Sequence, residues 1–443
     1  MNKQVFPMIF GIVITAFLAA APLFSQQQPS LRLTLREAVR LALKQNPQIQ
    51  MANLKLAESE QDRAIARSAL LPQASFELAT REERINLGSS FGANLPGIPH
   101  HAGPFEVFQS GPSFSMPIFD LTLWRSWQAS HQAVKASEAD QETVREQTVS
   151  LVVSQYLAAL RAMAQVRAAQ SRVDLAAALY AQAANLEKNG VGTNLDTVRA
   201  NVQLLNEKQG LLVAQTQLKV ALYGLVQLLH LEPRQTVELG DEMSFFETPE
   251  ITLERSIERA YANRPEMKSL ASQESAAHLE KRSASASRLP KLTLGGLWSY
   301  QGNSAASAIP VYTYQASVDF PLFTGGRIRA DMAKADIEIR KIGQQRAQLQ
   351  DQIALEAKTA VAQLESARSQ VDVANQGVDL ARREVVQARE RFQEGVTNNI
   401  EVTAAQDALA RANDNQIEAL YRYNQARADL ARAIGQMEDL YAN

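Results

Sequence analysis

Few side chains in this sequence are placed for chemistry. Asp196 and Glu401 occupy matching positions in two similar stretches, GVGTNLD (residues 190–196) and GVTNNIE (residues 395–401). In both, a glycine turn leads to a polar residue three positions before the acid, Thr193 and Asn398, which is capping-box spacing. An acid there satisfies free amide donors and faces the positive end of the helix dipole. His100 and His101 either offer two imidazoles to a metal or are solvated loop residues, the commoner state of adjacent histidines without further ligands. Cysteine is absent, which removes disulfides, thiolate metal sites and a lipidated N-terminal cysteine. There is no nucleophile with its base, no phosphate loop and no clustered ligand set, so the chain is read as a non-enzyme that needs no cofactor. A formal net charge of -2 over 443 residues, with no broad basic field, offers nothing to nucleic acid.

The elements that must hold those acids are set out by proline. None occurs between Pro117 and Pro233 or after Pro321. Because proline costs about 3 kcal/mol inside a helix, those two tracts are where very long helices can run. Each tract carries a seam of apolar residues alternating steps of four and three. One runs from Val149, Val152 and Tyr156 to Ala184, interrupted at Gln170; the other runs from Ala360, Leu364 and Ala367 to Phe392. That is coiled-coil spacing. The turns Gly190-Val191-Gly192-Thr193 and Gly395-Val396-Thr397-Asn398 end each long helix and return it as a second helix of about 35 residues, making two helical hairpins.

The chain is an internal repeat. LTLREAVRLALKQNP (33–47) matches ITLERSIERAYANRP (251–265), and the same offset superposes Leu71-Pro72 on Leu289-Pro290. SFSMPIF (113–119) matches SVDFPLF (317–323). The expected organisation is a signal peptide over 1–25, a first repeat over 26–230, a linker over 231–250 and a second repeat over 251–443. Residues 1–25 follow the layout of a secretory signal, with Lys3, an apolar run to Ala21 and small residues near a cut after Ser25. No later stretch approaches about 20 consecutive apolar residues, the length of a membrane helix.

Between the short helices and each hairpin lie two strand-like segments joined by polar loops, residues 85–104 and 301–309. Tyr312, Tyr314, Ala316, Val318 and Phe320 alternate with Thr313, Gln315, Ser317 and Asp319, one apolar and one wet face. Such strands suit a transmembrane barrel wall, but four strands fall short of the roughly eight of the smallest barrels. Three copies would close twelve. Trp298, Tyr312 and Tyr314 then form an aromatic girdle at the membrane interface, or simply follow β propensity. Pro117 and Pro321 mark the strand-to-helix junctions; Pro321 ends its strand at the membrane edge, and Gly325-Gly326 lets the chain turn into the helix beyond. Trp124 and Trp127 sit at that edge or pack between helix and barrel.

The repeated LTLxxAxxxAxxxNP-like opening, the PLFTGGR junction (Pro321 to Arg327) and the duplicated glycine turns resemble the TolC-like outer-membrane efflux proteins over residues 31–440. The resemblance implies a mainly α fold carrying a transmembrane β-barrel. Long antiparallel helical hairpins form a periplasmic α-barrel, and four β-strands per chain close a 12-strand barrel in a homotrimer. It further implies an outer-membrane channel that passively conducts small molecules delivered by an inner-membrane pump and a periplasmic adaptor. An RND-type transporter is favoured, and the adaptor meets the hairpin tips. The alternative is the exit duct of a type I protein secretion system; a rival of another class is a periplasmic adaptor, which would not need duplicated strand pairs. In the family the idle channel narrows at acidic rings near the hairpin ends. Those positions fall on Glu401, with Asp196 as its counterpart in the first repeat; a second ring falls on Ala404, and a closing arginine falls on Thr397. Pore lining and capping both remain open for Glu401.

Overall fold

The computed structural model describes residues 30–87, 89, 99–246, 252–394, 396 and 399–442, so the expected export signal at 1–25 lies outside it. Strand β1 (Leu31–Leu33) leads into α1 (Leu35–Gln45) and α2 (Pro47–Ser68). Thr34 starts α1 with a complete capping box. Its hydroxyl accepts from the Glu37 amide at 3.3 Å, and its own amide donates to the Glu37 carboxylate at 2.8 Å. Asn46 ends α1 and caps α2, with Pro47 in the first turn, where a helix loses no bond to it.

Next come β2 (Gln73–Asn86), β3 (His101–Phe119), α3 (Leu121–Lys188) and α4 (Asn194–Leu228). After β4 (Val237–Leu239) the plan repeats as α5 (Leu253–Asn263), α6 (Pro265–Ala286), β5 (Lys291–Gly302), β6 (Ile309–Asp319), α7 (Arg327–Gln393) and α8 (Asn399–Ala433), closed by α9 (Met437–Tyr441). Helices α3 and α7 have 68 and 67 residues, each roughly 100 Å long at about 1.5 Å per residue. Their return helices have 35 residues each.

Strands β2-β3-β5-β6 form one antiparallel sheet in that order. They run 14, 19, 12 and 11 residues, and the first hairpin reaches into the stretch expected as loop 85–104. Polar side chains carry it there: Thr80 donates to Glu106 at 2.7 Å across the strands, and Arg81 pairs with Glu83. An apolar alternation cannot reveal such a hairpin end. Two further strands were not anticipated, β1 and β4, which pair in parallel.

In cross-section the helices lie side by side. Helix α3 packs against α4 and α8 along its far half and against α2 and α6 nearer the sheet, while α7 packs against α6 and α8. Seam residues Ala367, Val371, Val378, Val385 and Ala388 are buried as their spacing predicts. Midway along α3, Val149, Val152, Val153, Tyr156 and Leu160 form the largest core with α1, β1, β4 and α9. The Tyr156 hydroxyl lies 2.9 Å from both the Leu33 carbonyl and an Asp241 carboxylate oxygen that accepts from the Leu35 amide at 2.7 Å. From Asp241 the chain crosses α8 as a strap: Asn424 donates to the Ser244 carbonyl, Tyr423 donates to the Phe246 carbonyl, and Phe245 stacks on the Tyr423 ring with centroids 4.6 Å apart.

Helices α3 and α4 each hold an 18-residue stretch apolar enough by composition to cross a membrane. In α3 half of that stretch is buried against its neighbours; in α4 only 17% is.

Candidate functional site

Two regions carry the residues singled out by the sequence: the sheet with its helix junctions, and the far ends of the hairpins. Register sorts the sheet into two faces, because residues opposite each other on antiparallel strands point the same way. Phe76, Leu78, Phe114, Met116, Leu294, Trp298, Tyr312, Tyr314 and Val318 share one face. Ser75, Glu77, Ser113, Ser115, Thr293, Gln315, Ser317 and Asp319 share the other. Trp298 stands opposite Tyr312, whose ring lies 5.8 Å from that of Tyr314, and all three are exposed. An uncovered aromatic face on one side and hydroxyls, amides and acids on the other is what a wall between lipid and water requires.

The two strand-to-helix junctions differ. Pro117 pairs with Thr293 just before the register slips by one residue, and Asp120 then caps α3 by accepting from the Thr122 and Leu123 amides. Lys291, the first residue of β5, pairs with that carboxylate at 2.9 Å. After Pro321 the second junction shows no such tie among the described residues. Gly325 and Gly326 take φ of 60° and 84°, and Arg327 begins α7 immediately. The Trp124 and Trp127 rings meet at a tilt of 57° with centroids 4.9 Å apart, and Trp127 meets the edge of His131, so this pair packs on its own helix while Trp124 stays exposed. At the opposite end of the sheet, Arg84 places a guanidinium nitrogen 2.8 Å from the His101 ring, a cation where the metal reading of His100 and His101 would need none.

At the hairpin ends, Gly190 takes φ of 74° and the amides of Val191 and Gly192 both donate to the Leu186 carbonyl. Thr193 caps α4: its hydroxyl accepts from the Asp196 amide at 3.2 Å and donates to the Asp196 carboxylate at 2.6 Å. In the second turn Val396 is exposed and its amide donates to Arg391, while Gly395, Thr397 and Asn398 lie outside the described residues. Glu401 does something the sequence did not suggest. Its carboxylate pairs across the turn with Arg391 of α7 at 3.3 Å. Asp196 and Ala404 line one cleft with Arg199 and Asp407, between α4 and α8 and against Ala176 and Leu179 of α3. A carboxylate therefore stands one turn beyond the vacant Ala404 position. Further along α3, Arg172 lies 3.3 Å from Glu207 of α4 and 3.2 Å from Asp414 of α8, tying three helices together. Sequence reading missed Asp407 and Arg172, since their only signal was a charge beside an apolar seam.

Residues 38–229 and 256–436, most of the chain, match the family described as outer membrane efflux protein. The chain belongs to that family. As an outer membrane efflux protein it is similar to the pyoverdine export outer membrane protein OpmQ of Pseudomonas aeruginosa, 24% identical over 408 residues, covering 89% of this chain and 83% of the relative. It is also similar to the alkaline protease secretion protein AprF of the same species, 23% identical over 442 residues, covering 96% and 89%. The Campylobacter jejuni CmeC outer membrane channel shares the fold, with a TM-score of 0.75 at 19% identity over 91% of this chain and 85% of that one. Membership places the protein in the outer membrane, with a fold shared with outer membrane channels.

Proposed function

We propose that three copies of this chain assemble into one tube, a twelve-strand barrel continued by an α-helical barrel. The tube passively conducts small molecules from an inner-membrane transporter, RND-type favoured, through a periplasmic adaptor to the exterior. The observation that carries this reading is the incompleteness of the single chain. Its four-strand sheet presents an apolar face and, among the described residues, leaves β2 and β6 each paired on one side only. Lipid can cover the apolar face, but an open edge there would leave backbone amides and carbonyls without partners. The helices support it too: Leu195, Val198, Val202, Leu205 and Tyr223 of α4 are exposed along one stripe, as are Val373 and Leu380 of α7. Helices α4 and α7 are the outer members of the row α4-α3-α8-α7, where a second copy would sit.

Within that tube, Glu401 and Asp196 line the periplasmic constriction, where symmetric copies form acidic rings that attract cations. The turns at Gly190 to Thr193 and Gly395 to Asn398 meet the adaptor, and Trp298, Tyr312 and Tyr314 lie in the outer-membrane interface. Polypeptide export through a type I system is the second reading, favoured by the likeness to AprF. The test is single-channel conductance in a planar bilayer, comparing wild type with Glu401→Ala across added divalent cations. The expected outcome is a small cation-selective conductance whose divalent block disappears in the variant. An unchanged block limits Glu401 to its pairing with Arg391, and a trimer that never conducts overturns the channel reading.

A further inference from the structure

The repeat is obeyed by the contacts as well as the sequence. In the first strand hairpin Gln73 pairs with Ser115, Ala74 with Phe114 and Ser75 with Ser113. In the second, Lys291 pairs with Asp319, Leu292 with Val318 and Thr293 with Ser317. These are the same pairs under the correspondences read from the sequence, Leu71-Pro72 with Leu289-Pro290 and SFSMPIF with SVDFPLF. The helices agree. Ala42 and Val149 share one buried cluster, and their counterparts Ala260 and Ile353 share another.

A third strand contact has no counterpart among the described residues. Strand β3 pairs with β5, setting Ser115 opposite Gly295, Phe114 opposite Gly296 and Met116 opposite Leu294. One further step of the repeat turns β3 into β6 and β5 into β2, which lie at opposite ends of the same sheet. We propose that β6 pairs antiparallel with β2 of a second copy in the register that sets Val318 opposite Leu78 of the partner subunit. This rests on the homotrimeric reading above and adds to it the residue register of the closing seam.

The same step sets Phe320 opposite the partner's Phe76, Ser317 opposite the partner's Ala79 and Asp319 opposite the partner's Glu77. Each pairing keeps its face. Phe76, Leu78, Val318 and Phe320 are exposed in the single chain and become cross-strand neighbours on the apolar side. The like charges of Asp319 and the partner's Glu77 meet on the wet side, where solvent screens them.

The helices beside the seam carry the substitutions this predicts. Within the chain, Ser126 of α3 hydrogen-bonds Ser283 of α6 at 3.1 Å, and Asp140 accepts from Ser269 at 2.7 Å. One step along, these contacts become Ala330 against the partner's Ile65 and Gln344 against the partner's Met51. Ile65 and Met51 are 66% and 53% exposed on α2. Where the chain meets itself the α6 side is polar, and where it would meet a copy the α2 side is apolar.

The chain has no cysteine, so engineered pairs report cleanly. In full-length protein in outer-membrane fractions, Val318→Cys is combined in turn with Phe76→Cys, Leu78→Cys or Thr80→Cys and oxidised. Strands β2 and β6 are too far apart in one sheet for a link within the chain, so any disulfide is between copies. The Leu78→Cys pair is expected to form covalent dimers and trimers about tenfold more efficiently than either displaced pair, because residues directly opposite fit disulfide geometry and diagonal ones fit poorly. A maximum at Phe76→Cys or Thr80→Cys overturns the register while leaving the copies paired. No link in a protein that native mass spectrometry shows to be trimeric overturns the β6 to β2 seam. No link in a protein that runs as single copies overturns the trimer reading itself. If the Val318→Cys/Leu78→Cys variant fails to assemble when reduced, Phe320→Cys with Phe76→Cys reads the same register independently.

Discussion

Glu146 turns its carboxylate toward the amides of Met437 and Glu438 at the start of α9, 2.9 and 3.1 Å away. Burial pushes its pKa up, and the charges of Glu438 and Asp439 add to that; the two amide bonds pull the other way and lose. The folded chain therefore holds this proton more tightly than the unfolded chain. The stabilisation is fully present below the ordinary value of 4.5 and is lost as pH rises through the raised folded value. Glu146→Gln keeps an oxygen for the amides and removes the charge. Hydrogen exchange of residues 437–442 is expected to quicken with rising pH, beyond its intrinsic rate, in wild type but not in the variant. Glu266 has the opposite sign: burial alone would raise it, but the hydrogen bonds and charge of Arg264 outweigh that and hold it low. Its contribution is present above 4.5 and fades as pH falls through the lowered folded value.

Among the elements, α7 shows how one substitution takes two signs. Gly326 has φ of 84° with nothing within 4 Å of the space a Cβ would fill, so Gly326→Ala meets no steric barrier. It still forces a left-handed backbone on an L-residue, at about 1–2 kcal/mol. Gly343 also has open space but sits inside the helix, where alanine is favoured by about 1 kcal/mol. Thermal unfolding of the detergent-solubilised protein should fall for Gly326→Ala and rise for Gly343→Ala. The glycines were legible as a junction because conformational freedom is a property of residue type. The Asp120 to Lys291 tie at the other junction was not, since it joins residues far apart in sequence.

At the scale of the whole molecule the repeat leaves α4 short of a neighbour. Its counterpart α8 packs on α3, so in the proposed trimer α4 takes the equivalent place on α7 of another copy. Val202 and Leu205 are exposed on that side. Introducing charge with Val202→Glu and Leu205→Glu buries two carboxylates only if copies associate there. Native mass spectrometry is expected to show a shift from trimer to single chain, with helix content by circular dichroism unchanged. A trimer that persists would place the interface on another face.

What the sequence determined by itself was local or periodic. Two proline-free tracts with a four-three apolar step specify long paired helices, because each turn repeats the same short-range choice. The glycine turns specify where they fold back, and the duplicated motifs specify that the plan occurs twice. Only the tertiary structure decided the contacts between distant residues. These include the parallel pairing of β1 with β4, the strap from Asp241 to Phe246 across α8 and the docking of α9 by Glu146. The pairing of Glu401 with Arg391, and the bridging of three helices by Arg172, are likewise absent from any local pattern. Each depends on which side chains the helices bring within hydrogen-bonding distance, and that is set by helix packing and register.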